Sequence, residues 1–201
     1  MGAELPEIFT PLHTLAHLML QAFGRGWCRL DAIGAGFLPA SGGVLVAANH
    51  KSNWDPFLLA TTLTRLGRRP YFLAKIELFR YALTGWPLSK MGGIPVNRGR
   101  ADSAALRTAI ALLKRGEILA LFPEGTRKRE NRLECFLPGV GFLSLKASVP
   151  VVPAYIAEFG SFPGLRRRVA IRFGPPVLPV GTPDEMTKKI LEAVRALAEL
   201  K

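Results

Sequence analysis

Cysteine is scarce in this chain: two residues in 201, Cys28 and Cys135, with no CxxC pair. That rules out a disulfide framework and fits a reducing compartment. Neither cysteine has a nucleophile or metal-ligand context, so both read as packing residues and no metal is expected. Long apolar runs are missing too. No stretch reaches the roughly 18–20 apolar residues of a membrane-crossing helix. The opening Met-Gly-Ala-Glu is acidic, without the basic region of a cleaved signal peptide. No Gly-Lys-Ser/Thr nucleotide loop, zinc-finger spacing or basic-zipper pattern occurs, which argues against ATP and the common nucleic-acid modules.

Acidic residues are few as well. Fifteen Asp and Glu stand against 27 Lys and Arg, a net charge of +12 that calls for an anionic partner. Much of the charge is clustered: Arg65, Arg68 and Arg69; Arg127, Lys128 and Arg129; Arg166, Arg167 and Arg168. These runs lack the interleaved aromatics of a single-strand binder, so nucleic acid is not expected. Anionic lipid and acidic substrates or carriers remain. A hydrophobic content of 49% places the chain among globular proteins. Its mean hydropathy of +0.21 leaves apolar surface for either a core or a membrane.

From residue 44 the chain alternates short β-branched runs with helical patterns. Strands are predicted over Val44–Ala48, Tyr71–Ala74, Ile118–Phe122, Val151–Ala157 and Val169–Phe173. Helices are predicted over Phe57–Leu66, Ser103–Arg115, Val140–Ala147 and Pro183–Leu200, the last with Thr182 as cap. This rhythm specifies an α/β domain over 41–201 with a central mixed, largely parallel sheet flanked by helices. Residues 1–40 form a separate N-terminal helical segment. Within it, Ile8, Phe9, Leu12, Leu15, Met19 and Phe23 recur at helical spacing. Such a helix packs on its own domain or lies in a membrane interface, and both placements fit.

The chemically suggestive residues follow predicted strands, where open α/β sheets usually bind ligands. His50 and Asp55 follow the first strand, Lys75 the second, and Glu124 with Arg127 the third. A separation of five on one helix would turn His50 and Asp55 about 140° apart. Across a strand–turn–helix corner they can meet. A carboxylate on one ring nitrogen then fixes the tautomer and leaves the other nitrogen to take a proton from an alcohol. Asp55 before Pro56 also suits a helix cap, and the two roles are compatible. Gly92-Gly93-Ile94-Pro95-Val96-Asn97-Arg98 and Phe122-Pro123-Glu124-Gly125-Thr126-Arg127 each place an arginine beside Gly or Pro. Its planar fork of donors suits phosphate.

Asn49-His50-x-Ser52-x-x-Asp55-Pro56 resembles the His-x4-Asp block of the glycerolipid acyltransferases. Gly93-Ile94-Pro95-Val96-x-Arg98 resembles their second block and Phe122 to Arg127 their third. Val151-Val152-Pro153-Ala154 resembles the fourth, an apolar strand ending at proline. Phe72 to Phe79 is similar to the segment between the first two blocks in bacterial 1-acyl-glycerol-3-phosphate acyltransferases. Two departures stand out: Phe136-Leu137-Pro138-Gly139 lacks the lysine of a common Phe-Lys-x-Gly segment, and Lys128 stands where a serine often follows the arginine.

The resemblance implies a mechanism. His50 is the general base on an acceptor hydroxyl and Asp55 orients it, with no covalent intermediate, cofactor or metal. The acyl group comes from acyl-CoA or an acyl-carrier protein. Arg98 and Arg127 hold the acceptor phosphate with help from Lys75. Glu124, with Gly125 and Thr126 beside it, places the acceptor's glycerol, and the Gly92–Val96 loop offers backbone amides to an oxyanion. The implied acceptor is 1-acyl-glycerol-3-phosphate; the alternatives are glycerol 3-phosphate, another lysophospholipid, or a peripheral lipid-binding protein without catalysis. Location at the cytoplasmic face of the cell membrane, on an anionic surface, follows as an expectation.

Overall fold

The computed structural model describes residues 28–97, 102–125, 133–157 and 167–200. Seven strands form one sheet: β1 (Cys28–Ile33), β2 (Val44–Ala48), β3 (Pro70–Lys75), β4 (Gly93–Val96), β5 (Ile118–Leu121), β6 (Val151–Ile156) and β7 (Arg167–Phe173). Their order is β1-β7-β6-β2-β5-β3-β4, parallel throughout except where β7 runs antiparallel to β6. The helices are α1 (Asp55–Arg65), α2 (Ala82–Lys90), α3 (Ser103–Lys114), α4 (Gly139–Ala147) and α5 (Pro183–Glu199). The mixed, largely parallel α/β sheet expected from the sequence is what forms.

The centre of the sheet explains its own sequence. Every residue of β2 is fully buried, because helices cover both faces. Leu45 and Ala47 face one core with Leu112, Leu113, Leu143, Met186 and Ile190. Val44, Val46 and Ala48 face the other with Leu58, Leu59 and Leu63 of α1. A strand buried on both sides reads as a continuous apolar run, and each fully buried leucine or valine contributes about 1.5–3 kcal/mol.

Three elements depart from the sequence reading. Residues 28–33, inside the 1–40 stretch expected to be helical, are strand β1, paired with β7 in the same sheet. The reason is a period of two: Leu30 and Ala32 pack on the core while Arg29 and Asp31 are exposed. The helix expected around Pro6–Phe23 lies outside the described residues. Gly93–Val96, expected as a loop offering amides to an oxyanion, is edge strand β4, in register with Phe72–Lys75. Pro95 is tolerated because β4 is the sheet's last strand. Helix α2 carries Gly85 and Pro87 and was not foreseen. Strand β6 runs through Pro153 to Ile156, in line with the strand predicted over Val151–Ala157.

Helix ends set the loops. Past α1 the chain closes a Schellman motif, with Arg68 N–H donating to Leu63 O (2.9 Å) and Gly67 N–H to Thr64 O (3.0 Å). Gly67 takes φ +80°, where an L side chain would be strained. The motif delivers Arg68 beneath the sheet. Its guanidinium donates to Pro39 O (2.7 Å), Gly42 O (2.7 Å) and Gly116 O (3.1 Å). Helix α5 begins, as expected, with Thr182 and Pro183, and Thr182 and Glu185 form a reciprocal capping box.

Candidate active site

Strands β2 and β5 are neighbours, yet the chain leaves them in opposite directions. From β2 it runs through α1 to β3; from β5 it runs through α4 to β6 on the far side of β2. Such divergence opens a crevice beyond the carboxyl ends of the two strands. His50 follows β2 and Glu124 follows β5, so both lie at this point.

The corner is built residue by residue. Asn49, buried at the end of β2, donates from Nδ2 to Ile156 O (3.1 Å) and accepts from Ile156 N–H at Oδ1 (2.7 Å). Its side chain thereby continues the pairing of β2 with β6 for one more step. The chain then turns, with Ser52 Oγ accepting from Trp54 N–H (3.2 Å) and Ser52 O from Asp55 N–H (3.3 Å). Asp55 opens α1, and Pro56 in the first turn needs no N–H there.

Asp55 is not acting as the expected helix cap. Its Oδ2 accepts from Lys51 N–H (2.6 Å) and Ser52 N–H (2.7 Å), back in the loop rather than forward in the helix. The same oxygen lies 2.9 Å from His50 Nδ1. At 1% exposure this carboxylate is paid for by three donors converging on it, as a buried charge requires. A carboxylate only accepts, so the neutral ring carries its proton on Nδ1 and presents its lone pair at Nε2. His50 keeps 14% side-chain exposure, so the ring is not sealed from solvent.

The third block supplies two more contacts. Phe122-Pro123-Glu124-Gly125 is a turn closed by Gly125 N–H donating to Phe122 O (3.1 Å), with Pro123 at the favoured second position. Gly125 takes φ +72°, which favours glycine. The turn aims Glu124 across to β2, where Oε1 accepts from the His50 backbone N–H at 2.8 Å. Phe122 lies on the imidazole face, with ring centroids 4.4 Å apart, and Phe72 of β3 stacks behind Phe122 at 6.4 Å.

The structure thus brings His50, Asp55 and Glu124 together, with Gly125 in the adjoining turn. Lys75 ends β3, two strands from β2, and its Nζ lies 3.4 Å from Glu77 Oε1 with both side chains about half exposed. Hydrogen bonding to its own backbone, and then to Lys75, holds the Glu77 carboxyl below its usual value. Such an exposed pair is weak enough for an anionic ligand to displace. Arg98, Thr126 and Arg127 lie outside the described residues. Arg98 falls in the short connection between Asn97 and Asp102, whose Oδ2 accepts from Asn97 N–H (2.9 Å) while Oδ1 caps α3 at Ala105 N–H (3.0 Å).

Sequence reasoning missed the contacts of Asn49, Phe122 and Lys51. Lys51 Nζ donates to Tyr155 OH at 3.1 Å. Asn49 and Phe122 do stand inside the recognised blocks, but block membership does not tell what a side chain touches.

Residues 29–157 match the family described as Acyltransferase, more than half of the chain. A chloroplastic 1-acyl-sn-glycerol-3-phosphate acyltransferase of Brassica napus is 34% identical over 150 residues, 74% of this chain and 43% of that protein. A lyso-ornithine lipid O-acyltransferase of Pseudomonas aeruginosa is 35% identical over 115 residues, 57% of this chain and 43% of that protein. The matched stretch therefore spans less than half the length of either relative. The crystal structure of PlsC, the 1-acyl-sn-glycerophosphate acyltransferase of Thermotoga maritima, matches with a TM-score of 0.73 at 25% identity, over 92% of this chain and 79% of that one. The His50–Asp55 corner, the sheet that carries it and the match over residues 29–157 agree, and this chain belongs to the acyltransferase family.

Proposed function

We propose that the protein transfers a fatty acyl group from an acyl thioester, acyl-CoA or acyl-carrier protein, to the free hydroxyl of 1-acyl-glycerol-3-phosphate, giving phosphatidic acid. The observation that carries this reading is the His50 Nδ1–Asp55 Oδ2 contact of 2.9 Å, which leaves Nε2 as the base. Nε2 takes the hydroxyl proton as the oxygen attacks the thioester carbonyl carbon. The tetrahedral intermediate expels the thiolate, which recovers the proton from Nε2–H. No cofactor is needed, because a thioester is already activated and the site supplies proximity and one base. Arg98 and Arg127 hold the acceptor phosphate, and Lys75 assists once released from Glu77.

The test crosses acyl-CoA and acyl-carrier-protein donors with 1-acyl-glycerol-3-phosphate, glycerol 3-phosphate, other lysophospholipids and lyso-ornithine lipid. His50→Ala should lose on the order of 10²–10⁴ in kcat or more. Full activity in that variant would refute catalysis by this corner. The Pseudomonas relative motivates a second acceptor class, and activity confined to an acceptor without phosphate would sink the arginine roles.

Such an acceptor resides in a bilayer, and no helix among the described residues is long and apolar enough to cross one. The protein is proposed to bind the cytoplasmic face of the cell membrane peripherally, through the apolar stretch of residues 6–23 that precedes β1 and the exposed Tyr81 and Trp86. Flotation with anionic vesicles should recover it in a salt-sensitive manner, whereas failure of protein and activity to co-float would overturn the membrane assignment.

A further inference from the structure

We infer that Phe122 and Glu124 are positioning residues for His50: the end of β5 is a seat that holds the base, and Glu124 acts on the enzyme's own backbone. The resemblance gives Glu124 to the acceptor's glycerol, but the geometry gives its Oε1 to the His50 backbone N–H at 2.8 Å. That bond joins residues 74 positions apart and crosses from β5 to the adjacent β2. A charge-assisted bond of this length is stronger than a neutral one, and it fixes the peptide unit from which the imidazole hangs.

Phe122 controls the remaining freedom. Asp55 touches one edge of the ring, at Nδ1, and an edge contact alone permits rocking about that bond. Phe122 covers a face of the ring at 4.4 Å with an interplanar angle of 27°, and Phe72 backs it. Offset stacking at this separation is favourable. Backbone, edge and face are thus held by three side chains from two elements: Glu124 and Phe122 of the turn that follows β5, and Asp55 of α1. Nε2 is the ring nitrogen that Asp55 leaves to take a proton. A group misplaced by about 1 Å can cost on the order of 100-fold in rate, so holding the ring matters as much as having it.

The kinetic arm rests on the acyl-transfer reading; the spectroscopic arm does not. The chain has only three histidines, so His-selective isotope labelling of the whole protein, with His50→Gln to assign, isolates the His50 signals. Without substrate, Phe122→Leu should move the ring protons of His50 downfield as the stacked aromatic is lost, and Phe122→Tyr should keep them. Glu124→Ala should move the His50 amide proton upfield, and Glu124→Gln, which retains a carbonyl oxygen, should move it back toward its original position. A thermal melt checks that each variant folds, with Phe122→Met of similar volume replacing leucine if the latter collapses.

In turnover, Phe122→Leu and Glu124→Ala should each lower kcat on the order of 10- to 100-fold with acceptor KM within about twofold. Glu124→Gln should recover most of the loss. An acceptor KM raised tenfold or more with kcat kept would return Glu124 to the substrate and overturn its positioning role. Unmoved His50 resonances in Phe122→Leu and Glu124→Ala would overturn the proposal outright. Absence of acyl transfer from the unaltered protein with every donor and acceptor would instead refute the acyl-transfer reading, and the resonances would still decide the positioning.

Discussion

The two ends of strand β2 each hold a charged group against the fold, and they treat it in opposite ways. Below the sheet, Arg68 turns its guanidinium to three carbonyl oxygens in the turns that precede β2 and β5. It is 8% exposed, and burial lowers its pKa from the usual value, with Glu117 acting against the shift. Above the sheet, Asp55 is buried more deeply, yet its three donors include a ring nitrogen whose partner nitrogen is not consumed. The lower charge closes a structure. The upper charge orients an imidazole. A buried charge is evidence of function only when something in its network is left with a chemical task.

Substitutions at the two ends should therefore separate activity from stability. The largest effect is expected from Asp55→Asn, where an amide offers an N–H or a carbonyl to a ring that needs an acceptor. Loss of the tautomer should lower kcat on the order of 10²–10⁴-fold, read by steady-state kinetics with a melt as control. Arg68→Ala should do the reverse. Three carbonyls lose their donor, and about 2–4 kcal/mol of unfolding free energy should disappear in a denaturant titration. Activity per folded molecule should hold.

A smaller effect separates the ends by pH. Tyr71, buried near the start of β3, has its pKa pushed up to about 12, first by burial and then by Glu117, with Arg115 opposing. The folded state thus holds its phenol proton more tightly than the unfolded chain. Its stability is fully present below pH 10 and is lost as pH rises from about 10 to 12, by up to about 2–3 kcal/mol. Phe in place of Tyr71 should flatten that part of a pH-dependent melt. The smallest effect is expected from Thr182→Ala, remote from both ends, which removes one half of the capping box for about 1 kcal/mol. Activity falling with this substitution would show that general loosening reaches the corner, blurring the contrast.

What the sequence made legible follows from the range of each interaction. Val44–Ala48 and Ile118–Leu121 announced themselves because strands buried on both faces need an unbroken apolar run. Gly93–Val96 did not, since four residues with a glycine and a proline carry little strand signal until β3 lies alongside. Cys28–Ile33 showed alternation, but it was absorbed into a segment expected to be helical. The pairing of His50 with Asp55 was readable as a local corner. The direction of the Asp55 carboxylate was not, because a residue before proline looks the same whether it caps forward or reaches back. Contacts of His50 with Phe122 and Glu124 join distant segments, and no local pattern encodes them.

Asn49 carries a consequence for the ageing of the protein. Its side-chain amide matches one peptide unit of Ile156 in both directions, N–H to oxygen and oxygen to N–H. Deamidation would exchange a single nitrogen for oxygen and set a negative charge against the carbonyl of Ile156, replacing a donor by a second acceptor. The last step of the β2–β6 pairing would then repel rather than hold, one residue before His50. A chemical lesion of about one mass unit, invisible to composition and nearly invisible to shape, would reach His50 through the backbone. Burial at 1% exposure slows that lesion, so the corner's shelf life and its geometry depend on the same closed amide.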